Sequence, residues 1–247
     1  MSDYDKFAKQ YSDSMSEQGD YFHQTQIDPH VYSIIGEPKS KTIYDIGCGN
    51  GYMARNFANK GAKVFASDLS VKLIEEAKEK SDGLDIQFRA HDATNFSEYE
   101  DRQFDVVVMN MVIHYVQDLD KLFQGISRVT KKDGVFVFST NHFFRPPYPY
   151  SEWVSGKIDN QERLFIKVTD YLERRKTEVE SGWDNKTKLI IYNHPLNELV
   201  NGMAKQGLFV FRIEEPESVG FAKDFSEQLQ KSHHIPTFMT IGAKKIS

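Results

Sequence analysis

The sequence predicts a doubly wound α/β fold built on a mostly parallel sheet. Short apolar runs alternate with helical patterns from residue 41 onward, which is typical of βαβ units. Glycine-rich or polar residues follow four successive predicted strands, at the sheet edge where ligands of open α/β proteins bind. The length of 247 residues suits one large α/β domain with an inserted segment. Right-handed crossovers place the helices on both faces of such a sheet.

Seven segments are predicted as strands because each is a short run rich in β-branched and aromatic residues. Helices are predicted where apolar residues recur at helical spacing between them. One begins after Ser70, a residue type that favours a helix N-cap, and another follows Asp118 and ends before the turn signal Asp133-Gly134. The predicted strands are 42–46, 62–66, 84–88, 104–109, 135–139, 208–213 and 237–241.

The overall composition excludes disordered and fibrous classes of protein. Hydrophobic residues make up 39% of the chain and charged residues 27%, with a formal net charge of −5. A mildly acidic chain argues against sequence-blind binding of nucleic acid, which needs a basic surface. No apolar run is long enough to span a membrane, and the start lacks the pattern of a secretory signal. We therefore expect a cytoplasmic protein with neither a nucleic-acid nor a membrane partner.

The chain contains a single cysteine, Cys48. One thiol forms neither an internal disulfide nor a thiolate zinc cluster. No tight metal-ligand spacing such as H-E-x-x-H occurs in the sequence, so we expect no required metal.

Aromatic residues are abundant, at 13% of the chain. Both tryptophans, Trp153 and Trp183, lie within residues 141–190, where the alternation of strands and helices lapses. We interpret this stretch as an insertion after the fifth strand that overhangs the ligand-binding edge of the sheet. Its aromatic side chains suit a flat, apolar or cationic ligand, but a small satellite core without ligand contact explains each of them equally well.

The most informative segment is Asp45-Ile46-Gly47-Cys48-Gly49-Asn50-Gly51, between the first predicted strand and a helix. Glycines let the backbone turn sharply and approach a ligand closely, while a helix N-terminus offers free N–H groups. The dinucleotide fingerprint G-x-G-x-x-G would require a third glycine at Tyr52. The spacing G-x-G-x-G with a preceding acid therefore favours a different ligand.

Short polar residues follow the next three strands. Asp68 ends the second strand, in the position from which a carboxylate binds a ribose diol. Asp92 follows the third strand and Asn110 the fourth. A chance turn easily explains one polar or glycine-rich strand end, but it does not readily explain four in succession.

With these motifs, the sequence resembles the class I S-adenosylmethionine-dependent methyltransferases that act on small molecules. The resemblance is strong over residues 40–140 and moderate over 190–245. It implies a doubly wound, mostly parallel seven-stranded sheet whose last strand is antiparallel, to which the pattern along the chain adds a helical and aromatic cap inserted after the fifth strand. That pattern predicts a single domain over residues 1–247, divided into an N-terminal helical cap (1–40), a cofactor-binding core (41–140), a substrate-cap insertion (141–190) and a C-terminal helix with a strand hairpin (191–247).

The resemblance also assigns the cofactor, S-adenosylmethionine, to residues of this chain. The glycine loop would hold its methionine part, with Asp45 close to the amino group, and Asp68 would bind the ribose hydroxyls. Leu69 would pack on the adenine and Asp92 would accept from its amino group. The full set implied for the cofactor is Tyr11, Asp45, Gly47, Cys48, Gly49, Gly51, Asp68, Leu69, Asp92, Ala93, Asn110 and Met111. Tyr21 and His23 of the N-terminal segment are weaker candidates than Tyr11 for covering the cofactor.

Methyl transfer from a sulfonium is an in-line displacement, so the enzyme acts mainly by aligning the acceptor and excluding water. A base is needed only where the acceptor must lose a proton. We predict His114 as the catalytic base; the alternative is a loop histidine that bonds the backbone or packs beside the cofactor. The residues predicted to contact the substrate are Tyr115, His142, Tyr171 and Trp183.

The predicted function is methyl transfer to a small-molecule acceptor by a monomer or homodimer. Methylation of a peptide or protein N-terminus is an alternative that keeps the cofactor. A nucleotide-dependent oxidoreductase and a degenerate domain that binds without catalysis are further alternatives. Tyr52 argues against the oxidoreductase, and the intact Asp45, Asp68 and Asp92 argue against the degenerate domain.

Overall fold

A seven-stranded sheet runs through the centre of the protein. The structure is a computed structural model that describes residues 2–144, 151–159, 161–217 and 235–246. The strands, including those outside the central sheet, are β1 (Thr42–Ile46), β2 (Lys63–Asp68), β3 (Ile86–Ala90), β4 (Phe104–Asn110), β5 (Thr130–Asn141), β6 (Ser151–Ile158), β7 (Gln161–Val168), β8 (Lys176–Glu180), β9 (Lys188–Tyr192), β10 (Leu208–Glu214) and β11 (Phe238–Lys245).

Six α-helices lie among the described residues, together with short 3₁₀ and π-helical turns. The 3₁₀ turns are Asp3–Lys6 and Ile113–Tyr115, and the π-helical turn is His23–Ile27. The α-helices are α1 (Ala8–Ser14), α2 (Asp28–Ile35), α3 (Tyr52–Asn59), α4 (Val71–Glu79), α5 (Leu119–Val129) and α6 (Leu196–Lys205).

The strand order is β10-β11-β5-β4-β1-β2-β3. Strands β1 to β5 pair in parallel, whereas β11 is antiparallel to both of its neighbours, β5 and β10. This arrangement confirms the doubly wound, mostly parallel sheet with an antiparallel last strand. The parallel strands all end at one edge, where the glycine loop and the other polar strand ends come together.

Both faces of the sheet are covered by helices, because the side chains of each strand alternate between the two faces. Ile43 of β1 packs with α2 and α3 on one face, while Tyr44 packs on the other. Leu122 and Ile126 of α5 fill that second face together with α6. The β1 to β5 strands therefore consist largely of apolar residues, as expected for a sheet buried on both sides.

The predicted strand boundaries differ from the structure by a few residues. Strand β3 begins at Ile86 instead of residue 84, because the backbone N–H of Leu84 closes a turn onto the carbonyl of Ser81. The strand continues to Ala90, which pairs with Asp68 at the end of β2. Such shifts leave the order and identity of the elements unchanged.

The inserted cap was predicted to be helical, and this was wrong for the described part of residues 141–190. These residues form two antiparallel hairpins, β6–β7 and β8–β9. In the second hairpin Leu189 and Ile191 are buried while Lys188 is exposed, which is the period-two pattern of a strand. The prolines that punctuate the sequence here, Pro146, Pro147 and Pro149, lie outside the described residues.

The N-terminal segment lies across the carboxyl edge of the sheet. Its side chains are anchored at buried positions: Phe7 and Val31 are fully buried. Asp5 accepts a hydrogen bond from the Ser70 hydroxyl at 2.6 Å, which ties the first turn to the start of α4. The segment thereby roofs the strand ends that carry the predicted site.

Candidate active site

A cavity of about 670 Å³ opens at the carboxyl ends of the parallel strands. Its floor is formed by the glycine loop and by the ends of β2 and β4. The N-terminal segment and the β8–β9 hairpin form its roof, and Phe238 at the start of β11 closes one side. The fold therefore gathers residues that are far apart in sequence around one enclosed space.

The glycine loop adopts a backbone that only glycine accommodates easily. Gly47, Gly49 and Gly51 have φ angles of 72°, 55° and 77°. A β-carbon on Gly47 would lie 2.3 Å from a methyl group of Val112, and one on Gly49 would lie 2.7 Å from the hydroxyl of Tyr11. The loop is thus pressed against its neighbours while Gly47 and Gly49 line the cavity.

Asp68 holds this loop in place from the end of β2. Its carboxylate accepts hydrogen bonds from the backbone N–H of Gly49 at 2.9 Å and of Ser70 at 2.8 Å. Burial raises its pKa above the usual value in spite of these bonds. Each carboxylate oxygen retains a further acceptor position, which matches the pair of ribose hydroxyls that the family resemblance implies.

The residues predicted for the adenine end lie together at the rim of the cavity. Leu69, whose surface is 55% exposed, and Ala93 both line it. Asp92 accepts hydrogen bonds from the backbone and hydroxyl of Thr94, so its carboxylate is fixed in an exposed turn. An exposed leucine beside a fixed acceptor fits a flat ring with an exocyclic amino group.

Asp45 lies beneath the loop and is almost fully buried, with 1% of its surface exposed. Its Oδ2 atom has no hydrogen-bond partner among the described residues. Burial, followed by repulsion from Asp68 and Asp28, raises its pKa to about 8. A buried carboxylate without a partner is unfavourable unless a cation or donor approaches it. This environment fits the ammonium group of S-adenosylmethionine.

Asn110 at the end of β4 is held by a hydrogen-bond network that the sequence did not reveal. Its amide nitrogen donates to Asp28 at 3.0 Å and to the Tyr52 hydroxyl at 3.2 Å, while its oxygen accepts from the Ser139 hydroxyl. Burial raises the pKa of Asp28 to about 6. Asp28 precedes Pro29 and so appears in the sequence only as a helix start; its place below the strand ends depends on the tertiary fold.

His114 lies in the cavity wall, where it was predicted, but its environment is apolar. It is buried, and its Nδ1 atom has no partner among the described residues. Burial, together with repulsion from His194, lowers its pKa to about 4. The imidazole is therefore neutral at physiological pH and is a weak proton acceptor.

Aromatic side chains form the roof over the glycine loop. The Trp183 ring stacks on Phe7 with 5.5 Å between centroids and meets Tyr11 edge-on at 5.2 Å. Tyr4 donates a hydrogen bond to the Tyr115 hydroxyl at 2.9 Å. Tyr4, Tyr11, Tyr115 and Trp183 all line the cavity, so the roof joins the N-terminal segment to the β8–β9 hairpin.

Several predicted residues do not line this cavity, and Asp45, buried beneath the glycine loop, is one of them. Cys48 and Gly51 belong to the glycine loop but face the core, where Cys48 is buried. His142 is buried and bonds Glu215 at 2.9 Å. Tyr171 accepts a hydrogen bond from the backbone of Leu196 at 2.7 Å and packs beside Phe144. His142 and Tyr171 thus lie at the base of the inserted hairpins.

The N-terminal segment contributes an aspartate that was not predicted and a histidine that was only a weaker candidate for covering the cofactor. Asp20 and His23 line the cavity, and the Asp20 carboxylate lies 2.8 Å from His23 Nδ1. A spacing of three residues at a helix start resembles an ordinary cap, so no sequence signal distinguishes this pair. No group of three or more potential metal ligands occurs in the described ranges. None of the helices described here combines the length and apolar character needed to cross a membrane.

Comparisons with known proteins agree with this geometry. Residues 44–138 match the family model described as a methyltransferase domain. A structure of an S-adenosylmethionine-dependent methyltransferase from Mesorhizobium loti superposes with a TM-score of 0.72 at 22% identity, over 87% of this chain and 96% of that one. This likeness shows the fold.

Two curated relatives differ in how much of their length is matched. An uncharacterised protein of Haemophilus influenzae is 24% identical over 88% of this chain and 86% of its own length. The ubiquinone biosynthesis O-methyltransferase of Nitrosomonas europaea is 31% identical over 45% of this chain, which spans 48% of that enzyme. The chain thus has the fold of the class I S-adenosylmethionine-dependent methyltransferases, and its residues 44–138 are similar to a methyltransferase domain.

Proposed function

We propose that this protein transfers the methyl group of S-adenosylmethionine to a small molecule bound in the cavity. The observation that carries the proposal is the glycine loop that lines the cavity: Asp68 fixes this loop, and beneath it the buried Asp45 has an Oδ2 atom without a hydrogen-bond partner among the described residues. The enclosed volume of about 670 Å³ is of the size that cofactor and small-molecule sites have in proteins. Matched relatives include enzymes named for O-methylation in ubiquinone biosynthesis and of malonyl-[acyl-carrier protein], which supports a small or carrier-borne acceptor.

The acceptor in this proposal is neutral or cationic. Five aspartates line the cavity, and its lining among the described residues includes neither lysine nor arginine; the five are Asp3, Asp20, Asp68, Asp92 and Asp118. The negative field of such a wall attracts cations and repels anions, most strongly where water is excluded. Carboxylates and phosphates therefore match this cavity poorly.

The cofactor supplies an electrophilic methyl group whose leaving group is a neutral thioether. The protein's own residues bind, orient and exclude water. The network of Asp28, Tyr52 and Ser139 fixes the side chain of Asn110 at the strand end, and the aromatic roof screens the space above the loop. His114 contributes a neutral imidazole to the wall on the acceptor side.

Calorimetry with S-adenosylmethionine and with S-adenosylhomocysteine tests the cofactor assignment. We expect dissociation constants in the micromolar range. Affinity no better than millimolar for both compounds would contradict the proposal. Lys9→Gln serves as a surface control. Lys9 pairs with Asp13 on the exposed face of α1, so this variant should bind both compounds as tightly as the wild type.

A transfer assay with tritiated methyl tests the acceptor class. The probes are catechol, 4-methylphenol and phenethylamine, compared with phenylacetate and phenyl phosphate at equal concentration. We expect label only in products of the neutral or cationic probes. Preferential methylation of the anionic probes would refute the charge argument while leaving the cofactor assignment intact.

A further inference from the structure

The Asp20–His23 pair lies on the cavity wall and has no part in cofactor binding as proposed above. One oxygen of Asp20 lies 2.8 Å from His23 Nδ1 and also accepts from the His23 backbone N–H at 2.9 Å. The His23 side chain is 11% exposed and that of Asp20 is 34% exposed. The pair is therefore ordered and largely shielded, yet faces the cavity.

The contact with Asp20 determines which ring nitrogen of His23 carries the proton. An ionised carboxylate only accepts hydrogen bonds, so neutral His23 holds its proton on Nδ1. Burial raises the pKa of Asp20, but the hydrogen bonds and charge of His23 and the backbone N–H groups of His23 and Phe22 lower the pKa below its usual value, which keeps Asp20 ionised. The lone pair of Nε2 then lies on the side of the ring away from Asp20, because Asp20 occupies the Nδ1 position.

Two neighbours hold the imidazole ring in this orientation. The Tyr52 ring meets it edge-on with 5.6 Å between centroids. Gly19, with φ of 82°, packs so closely that a β-carbon there would lie 2.6 Å from the His23 β-carbon. The position of Nε2 is therefore determined by packing as well as by the carboxylate.

His23 lies near the strand end at which the family resemblance places the sulfonium. Tyr52 contacts the His23 ring, and its hydroxyl is 3.2 Å from the amide nitrogen of Asn110. His23, Asn110 and Met111 all line the same cavity. An acceptor aligned beside Asn110 is thus within the space that His23 borders.

The surroundings of His23 differ from those of His114, the other histidine on the acceptor side. His114 has no carboxylate partner, and burial keeps it uncharged. A proton gained by His23 is balanced by Asp20 at 2.8 Å, as the aspartate of a catalytic triad balances its histidine. The positive charge of a protonated imidazole would therefore be balanced by a carboxylate at His23 but not at His114.

We propose that His23, oriented by Asp20, is the general base that removes the proton from an O–H or N–H acceptor during methyl transfer. The inference rests on the proposed function and narrows the acceptor to one whose reacting atom carries a proton. The new bond joins that atom to the methyl carbon as the carbon–sulfur bond breaks, and its electron pair stays on sulfur. The acceptor proton moves to His23 Nε2, and solvent later removes it.

The tautomer of His23 is the first test. Imidazole ¹⁵N spectra of the protein saturated with S-adenosylhomocysteine, assigned with His23→Gln, report which nitrogen is protonated. We expect the Nδ1–H form in the wild type. We expect Asp20→Ser, which keeps a residue able to cap the helix, to shift His23 towards Nε2–H, and Asp20→Glu to retain the Nδ1–H form. An Nε2–H tautomer in the wild type would overturn the proposal without an assay of activity.

Steady-state kinetics with the best neutral or cationic probe are the second test. We expect His23→Gln to lower kcat by about 10²-fold or more, the usual contribution of a general base, with KM changed by less than about threefold. The affinity for S-adenosylhomocysteine stays at the wild-type value, which separates this result from failure of the cofactor assignment. His30→Gln is the matched control, because His30 also faces a carboxylate, Glu214 at 3.5 Å, but does not line the cavity. Equal kcat in the two variants would refute the role of His23.

Discussion

The hydroxyl of Tyr11 lies 2.7 Å from the point that a β-carbon on Gly49 would occupy. The N-terminal segment therefore rests directly on the glycine loop, and the absence of a side chain at residue 49 is what permits that contact. The same glycine has φ of 55°, in the left-handed region. Gly49 thus determines both the backbone of the glycine loop and how closely Tyr11 of the roof approaches it.

Gly49→Ala should weaken cofactor binding by about tenfold, because the added methyl group displaces Tyr11 or the loop at a cost of about 1–3 kcal/mol. Calorimetry with S-adenosylhomocysteine measures the change. Gly83→Ala is the control, since Gly83 has φ of 76° but nothing within 4 Å of its β-carbon position. Both variants lose stability from backbone strain, but only the first should lose affinity. Equal affinities would show that Tyr11 does not limit the loop.

Asp68→Asn should raise the dissociation constant of the cofactor by about 10- to 100-fold, because hydrogen bonds to a charged acceptor contribute about 1.5–3 kcal/mol. Asp118→Asn removes the same charge from the opposite part of the cavity. Asp118 caps α5 by accepting from the Lys121 backbone, a role that asparagine also fills. The Asp118→Asn variant should therefore change the dissociation constant of the cofactor by less than about threefold. Comparable losses in both variants would indicate a general field effect rather than a ribose contact.

The contribution of Asp45 to the stability of the ligand-free protein should fall as the pH rises from about 4 to about 8. The pKa of Asp45 is raised to about 8 in the folded state, so the folded protein holds this proton more tightly than the unfolded chain. The resulting stabilisation is complete at low pH and is lost as the pH rises through the folded pKa, by up to about 1.4 kcal/mol per pH unit.

Asp45→Asn should flatten this pH dependence and raise the thermal midpoint at pH 8. Thermal denaturation at pH 5 and pH 8 measures both effects. The variant should also bind the cofactor at least about tenfold more weakly, since the ammonium loses its charged partner. A variant whose stability depends on pH in the same way as that of the wild type, or a variant that binds the cofactor as tightly, would contradict the role of Asp45.

Trp183→Ala should weaken cofactor binding by several-fold, because Trp183 packs on Phe7 and on Tyr11, which covers the glycine loop. Tyr171→Ala should leave cofactor affinity within about twofold, since Tyr171 contacts Phe144 and the start of α6 instead. The sequence had predicted the same effect for both residues, on the acceptor. Calorimetry on the two variants decides whether the roof or the hairpin base matters for binding.

The order of strands and the cofactor end of the site could be predicted because both depend on local signals. A glycine loop after β1 and aspartates after β2 and β3 are readable from spacing, since parallel strands bring their ends to one edge. The hairpins of the insertion were missed because aromatic and charged residues obscured the alternation in Leu189 and Ile191. Asp28 and the pairing of Asp20 with His23 were missed because their positions depend on the N-terminal segment folding over strands that come later in the chain.

The roof of the cavity is completed by a hydrogen bond from the Trp183 indole to the Ser14 hydroxyl, at 3.1 Å between residues 169 positions apart in the chain. Contacts of such long range form only after most of the intervening chain is ordered. We therefore expect the roof to form late in folding and to open at a lower free energy than the central sheet. Release of the first residues from the hairpin would then widen the cavity while the central sheet remains folded.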